Sequence, residues 1–188
     1  MDRTPTNFQA HRRDIELRRN KNAFPQRPVA PWRMVQLKAA MQISEHFTLE
    51  ELSFSEAATR LGLENTPSAG VIQNLIQTAA TMEAIRTLLG AKPIDVHSGY
   101  RSPQVNRAVG GVASSAHCRG LACDFVCPAF GTPLEVARAI LSSALEYDQL
   151  ILEYGWVHVG LAPAGMSSRR EALTKRSAWT AYECGIKA

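Results

Sequence analysis

Two histidines and an aspartate, His117, Asp124 and His158, are the residues whose types and spacing point most directly to chemistry. Imidazole nitrogen and carboxylate oxygen both suit zinc, and a catalytic zinc takes three protein ligands and leaves a fourth position for water. One aspartate cancels one of the ion's two charges, and the charge that remains brings the pKa of a bound water to about 7. Six residues separate His117 from Asp124. That gap is too long for one helical face or one tight turn. It predicts a loop that leaves His117, passes Gly120 and enters a strand carrying Asp124. Leu121–Val126 is an apolar run broken only by that aspartate. A charge there is costly unless it is paired or bound to a metal; Arg101 or Arg119 would answer the need as well as an ion. His158 lies in a second apolar strand, Trp156–Leu161, where Trp156, His158 and Gly160 share one face. The small Gly160 leaves room beside the ring. Taken alone, His158 reads more readily as a hydrogen-bonded core histidine than as a ligand. Taken together, the three residues read as ligands of one zinc ion.

The elements that must position them follow from periodicity and caps. Thr48 with Glu51 has the spacing of a capping box, so a short helix starts there. Ser55 caps a second short helix that Gly62 stops. Ser68–Leu89 is the clearest helix, with Val71, Leu75, Ala79, Met82, Ile85 and Leu89 on one stripe and Ile72 and Ile76 widening it. Pro93–Ser98 is predicted as a strand. Ser102-Pro103 opens a helix through Ala108, and Asn106 is placed to hydrogen-bond the loop before His117. Thr132-Pro133 opens another helix reaching about Leu145. Gln149–Leu152 and Trp156–Leu161 return as strands around Glu153-Tyr154-Gly155. His97 is expected to be a core or rim residue outside the metal set.

Charge divides the chain. Residues 1–40 hold nine Lys or Arg against three Asp or Glu, a net +6, whereas the whole chain is +4, so the remainder carries −2. The reading is therefore a basic extension over 1–40, a domain over 41–165, and a polar, basic tail over 166–188 in which Trp179 and Tyr182 suggest docking. A basic arm suits an anionic surface, or is simply a solvated tail. Asn7–Asn22 has weak helix-compatible spacing. Nucleic-acid binding is disfavoured, because no aromatic-basic platform is visible in the domain. The four cysteines, Cys118, Cys123, Cys127 and Cys184, lack the paired CxxC spacing of a zinc ribbon. They read as small buried residues. No apolar run is long enough to span a membrane, and the N-terminus lacks the apolar segment of a secretion signal.

The motif Ser115-x-His117-x-x-Gly120-x-Ala122-x-Asp124, followed by Trp156-x-His158, resembles the signature of the zinc D-Ala-D-Ala carboxypeptidase family. That family includes D-Ala-D-Ala dipeptidases of vancomycin resistance and phage endolysins. Ser98-Gly99-Tyr100-Arg101-Ser102-Pro103 with Asn106 resembles another of its segments, and Ser44–Leu52 is similar to the start of its phage and prophage branch. The resemblance implies an α+β fold of the Hedgehog/DD-peptidase-like kind, with helices packed on a small antiparallel sheet that carries the metal, one zinc on His117, Asp124 and His158, and peptidoglycan stem peptides as substrate. It implies that Arg101 binds the substrate carboxylate or stabilises the oxyanion; Ser115 and Tyr100 join it as substrate-binding residues. An enzyme of this kind without a signal peptide would stay in the cytoplasm until lysis or travel with a virion. The family's catalytic acid stands three residues before the second histidine, where this chain has Gly155. Glu153, five before, is the expected general base, and a loop acid is the alternative. If the alternative holds, the chain is a zinc-containing binding module.

Overall fold

The computed structural model describes residues 40–188. The basic extension, including the weak helical spacing at 7–22, lies outside the described residues apart from its last position. Among the described residues no helix is long and apolar enough to cross a membrane.

The five helices read from the sequence begin where the sequence places them, each behind a capping Ser or Thr. Helix α1 (Leu49–Ser53) begins at Thr48, whose hydroxyl accepts from Glu51 N at 3.1 Å. Helix α2 (Glu56–Leu61) begins at Ser55 and ends at Gly62. Helix α3 (Ala69–Leu88) is capped by Ser68. Strand β1 (Asp95–Ser98) leads to α4 (Pro103–Ala108), capped by Ser102. A 3₁₀ turn (Ala116–Arg119) then precedes β2 (Ala122–Val126). Helix α5 (Pro133–Leu141) has a complete capping box between Thr132 and Glu135, and it stops four residues short of Leu145. The hairpin β3 (Gln149–Leu152) and β4 (Val157–Gly160) follows.

These strands form one six-stranded sheet in the order β1-β2-β4-β3-β5-β6. Strands β5 (Glu171–Thr174) and β6 (Glu183–Cys184) come from the segment predicted as a tail. The boundary at 165 is thus corrected: the chain turns after β4, returns along the free edge of β3, and satisfies that strand's outer hydrogen-bonding groups. The sheet is mixed and not purely antiparallel, because β5 runs parallel to β3 while every other pairing is antiparallel.

Side-chain alternation gives the sheet two faces. Cys123, Phe125, Leu150, Leu152, Val157 and Val159 join the core under α3 and α5. Helix α3 supplies Leu75, Ala79, Met82 and Ile85, all at most 1% exposed. Ile76 is partly exposed, in contrast to the predicted stripe, and Thr78 is buried in the helix's packed face. The opposite face carries Asp124, His158, Ile151 and Leu173 in one row across four strands, since Asp124 pairs with His158, His158 with Ile151, and Ile151 with Leu173.

Candidate metal centre

The sheet brings two of the three predicted ligands together by register alone. Asp124 on β2 stands directly opposite His158 on β4. Asp124 Oδ1 lies 2.7 Å from His158 Nδ1. His117 arrives from the 3₁₀ turn, with Nε2 3.2 Å from Asp124 Oδ1 and 3.2 Å from His158 Nδ1. All three residues are buried.

His117 is held on several sides. Its Nδ1–H donates to Gly99 O at 2.6 Å, which fixes the tautomer and leaves Nε2 as an acceptor facing the other two ligands. Its carbonyl accepts from Arg101 N at 3.2 Å. Helix α3 clamps the end of the turn: Thr78 Oγ1 donates to Gly120 O, and Asn74 Nδ2 to Arg119 O, both at 2.8 Å. Gly120 closes the turn with φ +69°, in the left-handed region. A Cβ there would sit 2.9 Å from Val71 Cγ1 and 3.0 Å from Val71 O, so this backbone approach to α3 needs glycine. Asn106, buried beneath the preceding loop, donates to Val112 O at 2.8 Å.

The donor set fits a zinc ion on chemical grounds. With Nδ1–H committed to Gly99 O, the lone pair on His117 Nε2 faces a carboxylate oxygen 3.2 Å away. Two lone pairs repel, and a cation among the three atoms turns that repulsion into binding. Ligand atoms about 2.0–2.2 Å from a tetrahedral zinc stand roughly 3.3 Å apart, close to the two 3.2 Å separations from His117 Nε2, while the third, Asp124 Oδ1 to His158 Nδ1, is shorter at 2.7 Å. Burial alone would raise the Asp124 pKa, but the two imidazoles outweigh it and hold the carboxyl far below its ordinary range. Burial lowers the His117 pKa against the pull of Asp124, so the ring favours its neutral, ligating form.

The sequence profile of the family described as Peptidase M15 matches residues 45–160. The chain belongs to the peptidase M15 family. No curated protein matches it. Membership supports a zinc-dependent peptidase, and the buried His117, Asp124 and His158 are the group in this M15 chain that could hold its metal.

The metal centre forms the floor of an open groove of about 740 Å³. Arg101 lines it, with Nη2 4.0 Å from Asp124 Oδ2 and a buried Nε that has no hydrogen-bond partner. Ser115 lines it too, its hydroxyl making no cap bond. Tyr100 does not. It packs in the core, 6% exposed, with its N–H donating to Leu52 O. His97 is exposed on β1, outside the metal group. The cysteines are all unbonded to one another; Cys123 and Cys127 are buried, whereas Cys184 is exposed, contrary to a uniformly buried reading.

Glu153 lies in the groove wall, and the hairpin geometry explains how. Glu153 N donates to Trp156 O at 3.0 Å, closing a tight turn with Gly155 at its exposed tip. Glu153 stands two residues beyond Ile151, the direct partner of His158, so its side chain falls on the metal face. Glu153 directly follows β3 and precedes the turn into β4. Burial raises its pKa, partly opposed by the Lys175 ammonium.

The sequence reading missed the far wall. Lys175, Tyr182 and Arg169 line the groove from the supposed tail. Strand β5, between Arg169 and Lys175, is only four residues long and mostly half-buried, so it shows no clean alternation. The aromatic residues Trp179 and Tyr182 were the available signal; Tyr182 lines the groove, while Trp179 is 96% exposed.

Proposed function

We propose that this M15 chain is a zinc metallopeptidase that cleaves peptidoglycan stem peptides containing D-amino acids, as a carboxypeptidase or an endolysin-type endopeptidase. The observation that carries the reading is the convergence of three buried ligand atoms on the floor of a groove whose walls present a half-buried carboxylate and a guanidinium. Zinc held by His117, Asp124 and His158 supplies a Lewis acid for the attacking water and the scissile carbonyl. Glu153 takes the proton from the attacking water and returns it to the leaving amine. Its raised pKa suits both halves of that shuttle. Arg101, always charged and planar, receives the substrate carboxylate or the charge developing on the carbonyl oxygen. Ser115 offers a hydroxyl at the groove rim.

The test is zinc content measured beside hydrolysis of stem peptides, for the native chain and Glu153→Gln. One zinc per chain in both proteins, with cleavage only in the native one, is the expected result. A second reading, a zinc-containing binding module, draws on Gly155 at the family's usual acid position. It takes over if zinc is bound stoichiometrically and the native chain cleaves nothing across the panel. A chain that takes up no zinc would refute the ligand set itself.

A further inference from the structure

We propose that Lys175 binds a carboxylate of the substrate about three residues from the scissile bond, which makes the far wall of the groove a selectivity site for acidic peptides. The proposal rests on the peptidase reading above and extends it to a residue beyond the matched 45–160 segment.

Lys175 follows β5 directly, and its backbone N–H donates to Leu152 O at 2.8 Å. It continues the β3–β5 register beside Glu153, on the face that carries His158. Its side chain is half-buried and lines the same groove as Arg101. Among the described residues its ammonium makes no ion pair and donates no hydrogen bond. It sits instead 4.8 Å from the centroid of the Tyr182 ring. The other groove cation from this segment, Arg169, is already paired with Asp148 at 2.6 Å and with Glu171 at 3.1 Å. A lysine steered by an aromatic face, with the Glu153 carboxylate near enough to feel its charge but outside ion-pair distance, is available to a ligand carboxylate.

The sheet sets the distance. His158 is on β4 and Lys175 on the β5 side, two strand steps away in the order β4-β3-β5. Two steps across are about 10 Å, and Lys175 stands two residues, about 7 Å, beyond Leu173 in the row of His158, so the separation is about 12 Å, which an extended peptide covers in about three to four residues. Arg101 lies on the other flank, beside β2. A peptide with its C-terminal carboxylate at Arg101 and its scissile bond over the metal would thus bring the third residue before that bond to Lys175. In a stem pentapeptide cut before its last residue, that third residue is the γ-linked D-glutamate, which carries a free α-carboxylate.

The experiment compares L-Ala-γ-D-Glu-L-Lys-D-Ala-D-Ala with the same peptide amidated at the glutamate α-carboxyl. Each is given to the zinc-loaded native chain, Lys175→Met and Lys175→Arg, with zinc content and thermal midpoint confirming the fold. Affinity is read by calorimetry if the peptide is not turned over, and as KM with kcat if it is. The native chain should prefer the acid form by about ten-fold. Lys175→Met should lose that preference, and Lys175→Arg should keep most of it. Equal affinity of the native chain for the two peptides, an unchanged preference in Lys175→Met, or no binding of either peptide overturns the proposal. Preferential binding of the acid form without any hydrolysis sustains Lys175 as the carboxylate site while the peptidase reading fails.

Discussion

Replacing Gly120 by alanine tests how the long helix holds the metal turn. The substitution meets two separate costs. Residue 120 has φ +69°, where an L side chain is disfavoured by about 1–2 kcal/mol. The new methyl would also stand 2.9 Å from Val71 Cγ1, 3.0 Å from Val71 O and 3.1 Å from Leu75 Cγ. Val71 O belongs to the backbone of α3, and Leu75 is fully buried, so neither neighbour gives way easily. Overpacking of this kind adds about 1–3 kcal/mol. The sum, roughly 2–5 kcal/mol, corresponds to a fall of roughly 4–20 °C in Tm for a chain of this size. Gly110 is the matched control, with φ +77° and nothing within 4 Å of its added Cβ. Gly110→Ala should therefore show the backbone cost alone. The assay is urea and thermal unfolding of both variants, with zinc affinity measured by competition with a chromophoric chelator. Gly120→Ala should also weaken zinc binding, because relief of the clash moves the turn that carries His117. Equal destabilisation by the two substitutions, with zinc affinity unchanged, would refute the claim that contact with α3 positions His117.

Three further outcomes follow from the same structure. Removal of Lys175 by Lys175→Met should move the acid limb of kcat/KM to higher pH, because Glu153 must be ionised to act as base and the ammonium helps keep it ionised; Lys175→Arg should leave the limb in place. Glu83 accepts from Ser44 Oγ at 2.8 Å and His46 N at 2.6 Å, tying the segment before α1 to α3, so Glu83→Ala should cost about 1–3 kcal/mol in urea unfolding. Burial would raise the Glu83 pKa, but these hydrogen bonds outweigh it and lower the value; the contribution is therefore present above the unfolded glutamate pKa and is lost as pH falls through the lower folded one. Stripping zinc with a chelator should destabilise the domain by about 4 kcal/mol relative to protein held at a thousand-fold excess of free zinc over Kd, read as a drop in Tm that added zinc reverses.

The sequence by itself made legible the candidate ligand residues, the helix starts and the two apolar strands that carry Asp124 and His158. Those features are local. A capping hydroxyl, a proline at a first turn, and an aspartate inside an apolar run each state their physical need within a few residues. What the tertiary structure decided depends on register and on partners far along the chain. Tyr100 and Arg101 are neighbours in sequence, yet one enters the core and the other the groove, because Tyr100 N–H is bound to Leu52 O and Arg101 N–H to His117 O. Thr78 looks like a polar interruption of a helical stripe until its hydroxyl is found on Gly120 O, 42 residues away. Glu153 faces the metal through the pairing of Ile151 with His158, which no spacing along the chain encodes. The last two strands are only four and two residues long, and they become part of the sheet only because β3 offers them an open edge. Lys175 reaches the groove by the same route: its place is set by a neighbour strand and not by its own surroundings in the sequence.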